Sequence, residues 1–267
     1  MMEDEGYFKC AREAAVEAGQ MLKKNIRVSR EISFKGAVDL VTNFDMQAQE
    51  IIYRHLSRAY PDHSFLGEEG LSQKGDADFC WIFDPLDGTT NYAHAFPVFC
   101  VSLALEHKGK IILGLVYDPR REEMFWALDN RGAYLNGRSI QVSSVNDLDR
   151  SLLATGFPYD LRVSPINNVE HFCNFIVKAQ AVRRCGSAAL DLCYVACGRF
   201  DGFWELKLKP WDVAAGILII KEAGGRVSDF EGGECDFRHP EILASNGLIH
   251  QSMIDVIRMS HKDKGRE

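Results

Sequence analysis

The sequence of 267 residues has a net charge of −7, with 46% hydrophobic and 26% charged residues. These are ordinary proportions for a globular enzyme, and the acidic excess argues against a dedicated nucleic-acid binder. The acidic start lacks the apolar core of a signal peptide, and the longest apolar run, near Val213–Ile220, is too short to cross a bilayer. Eight scattered cysteines without zinc-site spacing are expected to be reduced thiols, which favours a cytoplasmic location.

The first half of the chain shows two helical patterns followed by several strand patterns. Apolar residues at helical spacing predict a helix over residues 4–26 and a second helix over Asp45–Arg58. A strand is expected at Phe79–Phe83, and a turn should end it because Pro85 lacks an N–H and fixes its own φ. Turn sequences then separate three strands of a meander, at Val98–Glu106, Ile111–Tyr117 and Glu123–Leu128.

After about residue 150 the pattern changes to alternating strands and helices. Strands are predicted at Leu152–Thr155, Ala181–Arg184, Phe203–Leu206, 226–229 and 242–245. Helices are predicted at Pro165–Ala179, Ala188–Cys197 and Asp212–Ala223. The order predicts an α/β fold (α+β in some schemes), built as a layered αβαβα sandwich with two mixed or antiparallel sheets between helix layers. We expect an N-terminal α+β subdomain over 1–145 and a C-terminal α/β subdomain over 146–267, packed closely enough to form one domain.

Residues 81–91, Trp-Ile-Phe-Asp-Pro-Leu-Asp-Gly-Thr-Thr-Asn, carry the strongest functional signal in the sequence. A turn in this segment can bring the carboxylates of Asp84 and Asp87 and the carbonyl of Leu86 to one side. Three oxygen ligands without a histidine or a cysteine suit a hard cation such as Mg²⁺. The segment therefore predicts a metal site at the end of a buried strand.

The residues that follow favour a phosphate ligand beside this metal. Gly88 has no side chain, so a phosphate group can approach the backbone closely there. A helix that begins at Thr89 or Thr90 would direct its unpaired N–H groups towards the same place. The combination predicts a metal-assisted phosphate site.

Three further acidic positions have ordinary structural explanations when each is taken alone. Glu68 lies in a glycine-flanked loop after an expected strand, where a solvated acidic turn is common. Asp212 precedes an apolar helix, and the N-cap is the usual role of an aspartate in that place. Asp45 falls in the first turn of a helix, with Thr42 or Asn43 as its cap.

Five segments taken together and in order resemble the signature sequences of the inositol monophosphatase family, within the lithium-sensitive, Mg²⁺-dependent phosphatases. The segments lie at residues 35–45, 67–69, 81–92, 186–191 and 211–225. The resemblance covers nearly the whole chain and is strongest to the bacterial branch. The sequence departs from some members in a shorter loop after Lys35 and in Gly-Phe-Pro-Tyr at 156–159, which affects loop contacts rather than the metal core.

The resemblance implies at least two metal ions. One would be held by Glu68, Asp84 and the Leu86 carbonyl, and a second by Asp84, Asp87 and Asp212. Electrostatics agrees with this set, because clustered carboxylates stay ionised together only when protons or metal ions offset their charge. The residues concerned, which carry five negative charges, are Asp45, Glu68, Asp84, Asp87 and Asp212.

The resemblance also implies catalytic roles for Asp45, Glu68 and Thr89. A third, weaker ion would lie near Glu68 and Asp45, held mainly by water. Thr89 and Asp45 would orient and deprotonate a metal-activated water that attacks phosphorus in line, with no covalent enzyme intermediate. Phosphate oxygens would meet the backbone N–H groups of Gly88 and Thr89.

Residues of the second half are expected to recognise the alcohol part of the substrate. By resemblance, Glu205 and the segment Gly186–Ala188 would contact hydroxyl groups, and Asp87 and Asp212 would share that role. A charged acceptor makes strong hydrogen bonds with vicinal hydroxyls, although Glu205 could equally be an exposed acid at a strand end. Arg183 could contact substrate or belong to a subunit interface. Lys35 could offset phosphate charge or be a surface lysine.

These observations together predict a cytoplasmic, homodimeric Mg²⁺-dependent phosphomonoesterase that acts on myo-inositol monophosphates and is inhibited by lithium. Within the same superfamily, fructose 1,6-bisphosphate and 3′-phosphoadenosine 5′-phosphate are alternative substrates. A role as a partner of the transcription machinery, with secondary phosphatase activity, is a third possibility. An aspartyl-phosphate phosphatase is disfavoured, because Asp87 follows Asp84 by three positions instead of two and Pro85 lies between them.

Overall fold

Helix and sheet layers alternate in the computed structural model, which describes residues 2–27, 32–34, 40–75, 78–238 and 241–259. Two large sheets lie between helix layers in the order helix, sheet, helix, sheet, helix. The predicted α/β class and the αβαβα sandwich are confirmed. No helix in this described part of the chain has the length and apolar composition that a membrane crossing requires.

Seven α-helices lie in the described ranges, and five of them were expected from the sequence. They are α1 (Met2–Asn25), α2 (Asn43–Ala59), α3 (Thr89–Ala93), α4 (Val169–Phe175), α5 (Ala188–Ala196), α6 (Pro210–Glu222) and α7 (His250–Ile257). The short helix α3 was foreseen only as a helix start at Thr89. Helix α7 was missed, because no side chain at its N-cap, Ile249, provides a capping signal.

The first large sheet contains eight strands. In chain order they are β3 (Ser64–Gly67), β4 (Ser72–Gln73), β5 (Phe79–Asp87), β6 (Cys100–His107), β7 (Lys110–Asp118), β8 (Glu123–Leu128), β9 (Ala133–Leu135) and β10 (Arg138–Ile140). The spatial order is β10-β9-β8-β7-β6-β5-β3-β4, and only the pair β3 and β5 is parallel. A separate ribbon pairs β1 (Ile32–Phe34) with β2 (Leu40–Thr42).

The second large sheet contains five strands. They are β11 (Leu152–Thr155), β12 (Ala181–Arg183), β13 (Gly202–Leu206), β14 (Arg226–Ser228) and β15 (Glu241–Ser245), in the spatial order β12-β11-β13-β15-β14. Strand β11 is parallel to both of its neighbours, and β15 is antiparallel to both of its own. A single 3₁₀ turn at Leu148–Arg150 precedes the sheet.

The expected turn at Pro85 is wrong, because strand β5 continues through this residue to Asp87. Asp84 pairs with Ser102 and Asp87 pairs with Cys100, so two residues of β5 oppose one residue of β6. This irregularity is a bulge, which absorbs the missing N–H of Pro85 without ending the strand. The N–H of Leu86 donates instead to Asp84 Oδ1 at 2.8 Å.

Helix α4 is shorter than the predicted span Pro165–Ala179 and begins only at Val169. The side chain of Asn168, which is fully buried, bonds to Thr155, Gly156 and Trp204 of the second sheet. These bonds fix the chain ahead of the helix in a non-helical path. Tertiary contacts therefore override the helical spacing that the sequence shows in this region.

The middle helix layer joins the two sheets. Helices α1 and α2 cover one face of the first sheet, α5 and α6 pack between the sheets, and α4 and α7 cover the far face of the second sheet. The division of the chain at residues 145 and 146 stays a prediction. Two such subdomains would meet in the apolar core around α5 and α6.

Helix α6 packs directly against the backbone of β7, and Gly114 makes this possible. A Cβ atom at Gly114 would lie 2.6 Å from the Ala215 carbonyl oxygen and 3.0 Å from its Cα. Real Cβ atoms do not approach backbone atoms so closely, so the helix would have to move. Glycine is therefore required where the middle layer meets the first sheet.

Gly114→Ala should lower the free energy of unfolding by about 1–3 kcal/mol through overpacking. Urea unfolding followed by circular dichroism would measure the change. Gly6→Ala in α1 is the matched control, since its Cβ would lie 3.4 Å from the Tyr60 hydroxyl, an ordinary contact. That variant should be neutral or slightly stabilising because alanine favours helix. Equal destabilisation of both variants would contradict the packing argument.

Candidate active site

A cavity of about 280 Å³ opens at the carboxyl ends of strands from both large sheets and at the starts of α3, α5 and α6. Most residues predicted for the site line it. They are Glu68, Asp84, Leu86, Asp87, Gly88, Thr89, Gly186, Ala188, Glu205 and Asp212. The carboxyl ends of strands and the beginnings of helices are common places for ligand sites in α/β proteins.

Three other residues predicted for the site are not among the described residues that line the cavity. Asp45 lies behind the cavity wall and reaches it through a hydrogen bond from Thr89. Arg183 is exposed, and of the two adjacent arginines in the described chain it is Arg184 that lines the cavity. Lys35 lies outside the described residues. The assignment of Arg183 to substrate is thus not supported by its position.

The bulge in β5 sets the orientation of Asp84. This side chain is only 2% exposed, and its Oδ1 accepts the hydrogen bond from the Leu86 N–H. The Leu86 carbonyl accepts from Thr89 Oγ1 at 3.0 Å. Oxygen atoms of Asp84 and Leu86 are thus held on one short stretch of strand, as the sequence predicted on the basis of a turn.

Asp87 is held by the start of helix α5, which belongs to the other half of the chain. Its Oδ2 accepts from Ser187 Oγ at 2.6 Å and from the Ala189 N–H at 2.8 Å. Cys100 Sγ lies 3.7 Å from the same oxygen. Ser187 lies within the segment Gly186–Ala188 that was expected to contact substrate hydroxyls, but its bond to Asp87 was not predicted.

The loop that carries Glu68 is fixed by a residue that the sequence did not reveal. The Gln49 side chain in α2 accepts from the Glu69 N–H at 3.1 Å and donates to the Glu69 carbonyl at 3.2 Å. A Cβ atom at Gly67 would lie 2.4 Å from Gln49 Oε1. The absence of a side chain at position 67 lets the loop lie against Gln49.

Thr89 and Asp45 form a buried polar pair. Thr89 Oγ1 lies 3.1 Å from Asp45 Oδ1, and Asp45 has no exposed surface. Asp45 also lies in the first turn of α2, which starts at Asn43, so the ordinary structural explanation is correct as well. Its helix position is what brings its carboxylate to Thr89.

Asp212 is the third residue of α6 rather than its N-cap, which is Lys209. Its Oδ2 accepts from the Lys209 N–H at 2.7 Å, so the carboxylate satisfies one of the free N–H groups at the helix start. This corrects the expected N-cap position. The bond uses one of the two carboxylate oxygens and holds the side chain at the cavity.

Burial and mutual repulsion make these carboxyl groups hard to ionise. Burial raises the pKa of Asp84 well above its usual range, and the nearby charges of Glu68, Asp87 and Asp212 add to the effect. Burial raises the pKa of Asp87 to about 6, although the bonds from Ser187 and Ala189 oppose the shift. The pKa of Asp212 is also raised, by burial first and then by the charge of Asp87.

The chemistry of the lining suits a hard divalent cation. Six carboxyl groups face three cationic side chains, Arg184, Lys207 and Lys209, so the wall carries an excess of negative charge. All the carboxyl oxygens and the Leu86 carbonyl are ligands that Mg²⁺ prefers. In the described ranges, no three acidic, histidine or cysteine side chains already converge as a complete ligand set. The residues fit such ions in the chemistry of their donor atoms.

Comparison with known proteins identifies the family of the chain. A model of the inositol monophosphatase family matches residues 3–262. The chain belongs to the inositol monophosphatase family. It is therefore a phosphatase of this superfamily, and such enzymes generally depend on metal ions.

Individual relatives of the family match more than nine tenths of the chain. The sequence is 48% identical to the inositol-1-monophosphatase of Synechocystis sp. over 250 residues, which cover 92% of this chain and 87% of that protein. It is 42% identical to the Nus factor SuhB of Pseudomonas aeruginosa over 257 residues, 93% of this chain and 94% of that one. The crystal structure of the extragenic suppressor protein suhB from Bartonella henselae superposes with a TM-score of 0.91 at 40% identity, covering 96% and 99% of the two chains.

Asp87→Asn should stabilise the metal-free protein at neutral pH. The folded-state pKa of about 6 exceeds the usual value of 3.8, so ionisation of Asp87 costs stability progressively between these two values. Above pH 6 the full cost is present, about 3 kcal/mol for roughly two pKa units. The gain in unfolding free energy of Asp87→Asn over wild type should therefore grow between pH 4 and pH 7.

Chemical unfolding in chelator at a series of pH values measures this gain. Asp129→Asn is the matched control, because Asp129 is a surface carboxylate ion-paired with Lys110. It should show no comparable gain. A gain for Asp87→Asn that does not change with pH would show that burial does not oppose its ionisation.

Proposed function

We propose that the protein is a Mg²⁺-dependent phosphomonoesterase that hydrolyses myo-inositol monophosphate to myo-inositol and phosphate. One observation carries the proposal: Glu68, Asp84, Asp87 and Asp212 surround one cavity and hinder one another's ionisation. A phosphate ester could not approach such a wall unless cations offset its charge. The 48% identity to the inositol-1-monophosphatase of Synechocystis sp. supports the substrate.

The resemblance to the family assigns two ions to residues, and the presence of these residues in the cavity lining supports the assignment. Glu68, Asp84 and the Leu86 carbonyl would hold one Mg²⁺, and Asp84, Asp87 and Asp212 would hold a second. A third, weaker ion would lie near Glu68. Bound there, Mg²⁺ would supply the charge that acidifies an attacking water and stabilises the departing alkoxide.

Thr89 and Asp45 would take the proton of the attacking water. Thr89 Oγ1 carries one proton, which it can donate to Asp45 or to the Leu86 carbonyl. When it donates to Asp45, its lone pairs are free to accept a hydrogen bond from water. That hydrogen bond would orient the water. The water would then be deprotonated by proton transfer through Thr89 to the buried Asp45. The backbone N–H groups of Gly88 and Thr89 would bind phosphate oxygens.

The polyol would be recognised on the wall formed by the second sheet. Glu205 is the residue before the last one of strand β13 and lines the cavity, together with Gly186 and Ala188 at the start of α5. Burial raises the pKa of Glu205 well above its usual range, and the charges of Asp191 and Asp87 add to this. Hydroxyl donors of a substrate would favour its ionised form.

The same proposal includes the cellular location, the oligomeric state and the response to lithium. All eight cysteines are free, which supports a reducing compartment and hence a cytoplasmic enzyme. A homodimer and inhibition by Li⁺ are expected from the resemblance to the family. Size-exclusion chromatography with light scattering and a lithium titration of turnover would test both.

Asp87→Asn should lower kcat for myo-inositol 1-phosphate by several orders of magnitude, because an amide cannot replace a carboxylate as a charged metal ligand. Turnover is measured as phosphate release with Mg²⁺, and chelation should abolish wild-type activity reversibly. Asp129→Asn should behave as wild type. Asp87→Asn activity within tenfold of wild type would reject the assignment, and its expected stability excludes unfolding as the cause of a loss.

Thr89→Ala and Thr89→Ser separate the hydroxyl from the shape of the side chain. Loss of the hydroxyl should lower kcat by about 10²–10⁴-fold, the usual contribution of a positioned proton-transfer group. Serine keeps the hydroxyl, so Thr89→Ser should retain activity within about tenfold. Similar losses in both variants would show that the contact with Asp45 does not serve proton transfer.

Two other interpretations remain to be compared with this one. Fructose 1,6-bisphosphate and 3′-phosphoadenosine 5′-phosphate belong in one substrate panel with myo-inositol 1-phosphate at a single Mg²⁺ concentration. A role as a partner of the transcription machinery is favoured by the 42% identity to the Nus factor SuhB of Pseudomonas aeruginosa. If binding to transcription complexes is the main function, Asp87→Asn should bind them as wild type does while lacking phosphatase activity.

A further inference from the structure

The carboxylate of Glu205 occupies space that a side chain at position 156 would fill. A Cβ atom built on Gly156 would lie 2.2 Å from both Oε1 and Oε2 of Glu205 and 2.4 Å from its Cδ. An ordinary contact requires at least 3.4 Å. Alanine at position 156 would therefore force the Glu205 carboxylate to leave its place by more than an ångström.

Glu205 is set for a ligand rather than for a structural bond. The residue is 8% exposed and lines the cavity. No described residue donates a hydrogen bond to its carboxylate. A buried carboxylate without such a donor is costly for the folded protein, so its position is useful only if a bound molecule supplies the donors.

A buried hydrogen-bond network holds the two facing backbones together at this point. Thr155 Oγ1 donates to the Trp204 carbonyl at 2.6 Å, and Trp204 Nε1 donates to Asn168 Oδ1 at 2.8 Å. Asn168 Nδ2 donates to the Gly156 carbonyl at 2.5 Å and to Thr155 Oγ1 at 2.7 Å. The side chains of Thr155, Asn168 and Trp204 have no exposed surface.

The network lies directly before the two residues in question. Thr155 and Trp204 are paired across β11 and β13, and each is followed in the chain by one partner of the close contact, Gly156 or Glu205. Because the strands are tied there, the backbone cannot separate to relieve a clash. Any added atom at position 156 must displace the Glu205 side chain instead.

We propose that Gly156 and Asn168 are positioning residues that fix the Glu205 carboxylate in the cavity wall, and thereby make the site selective for phosphate esters of polyols. Gly156 leaves the space for the carboxylate, and Asn168 holds the strands so that this space keeps its shape. Vicinal hydroxyls of the substrate then find a charged acceptor at a fixed place. The inference rests on the proposed function and adds the basis of its alcohol selectivity.

Gly156→Ala tests the inference with two substrates that share only the phosphate ester. Its kcat/KM for myo-inositol 1-phosphate should fall about 10- to 100-fold, mainly through KM, the usual effect of losing a hydrogen bond to a charged group. Its kcat/KM for p-nitrophenyl phosphate, which has no hydroxyl groups for Glu205, should stay within about threefold of wild type. A general structural defect would lower both values together.

A double-mutant cycle with Glu205→Ala separates positioning from other effects of the added methyl group. In the Glu205→Ala background, Gly156→Ala should cause no further loss, because the carboxylate that it displaces is already absent. Gly156→Ala combined with Glu205→Asp should recover part of the activity, since the shorter side chain relieves the clash. Additive losses in the cycle would overturn the inference, as would equal losses for both substrates.

Asn168→Ala should reproduce the selective loss while the protein remains folded, as judged by its thermal unfolding midpoint. If that variant does not fold, the Gly156 and Glu205 cycle decides the question alone. A crystal structure of Gly156→Ala should show the Glu205 carboxylate displaced with the pairing of Thr155 and Trp204 intact. An unmoved carboxylate would overturn the inference.

The experiment distinguishes this inference from the function on which it rests. Wild-type protein that hydrolyses neither substrate with Mg²⁺ overturns the proposed function, and the inference falls with it. Wild-type turnover of both substrates together with an unselective effect of Gly156→Ala overturns the inference alone.

Discussion

Repulsion among buried carboxyl groups is the constraint on which the rest of the structure depends. Asp84 and Asp87 lie on β5 and Asp212 lies on α6, and each raises the cost of ionising another. Such a cluster persists only because backbone and side-chain donors fix each member separately. The bulge in β5 serves Asp84, the start of α5 serves Asp87, and the N–H of Lys209 serves Asp212. The fold thus holds in place a charge arrangement that opposes its own stability.

The sequence predicted the fold well where local pattern and burial agree. Strands β8 and β11 have the predicted ends because alternating or continuous apolar residues stand between clear turn signals. Helix α4 was predicted too long, since the bonds of Asn168 to the second sheet are invisible in a linear sequence. At Pro85 the expectation that proline ends the strand was wrong, because a bulge accommodates the missing N–H without a turn.

Residues of the candidate site were likewise predictable where short local motifs identify them. They were not predictable where their role depends on a contact with a distant residue. Its carboxylates were predictable because they lie in short motifs that a known family shares, and most of them line one cavity. The contacts of Ser187, Gln49 and Asn168 were not predicted, because each joins residues that are well apart in the chain. Each of these residues matters because of the residue that it contacts, and only the folded structure shows which residue that is. Gly156 belongs to this group, since its missing side chain has meaning only beside Glu205.

The bulge in β5 has a consequence for the strand pairing behind the cavity. Pro85 has no N–H, and the N–H of Leu86 is engaged by Asp84, so neither residue can offer a donor to the adjoining strand. The two strands therefore cannot slide by one step to exchange one pairing for another at this point. The register of β6 against β5 is thus fixed at Ser102 and Cys100, the residues that pair with Asp84 and Asp87 in the cavity wall.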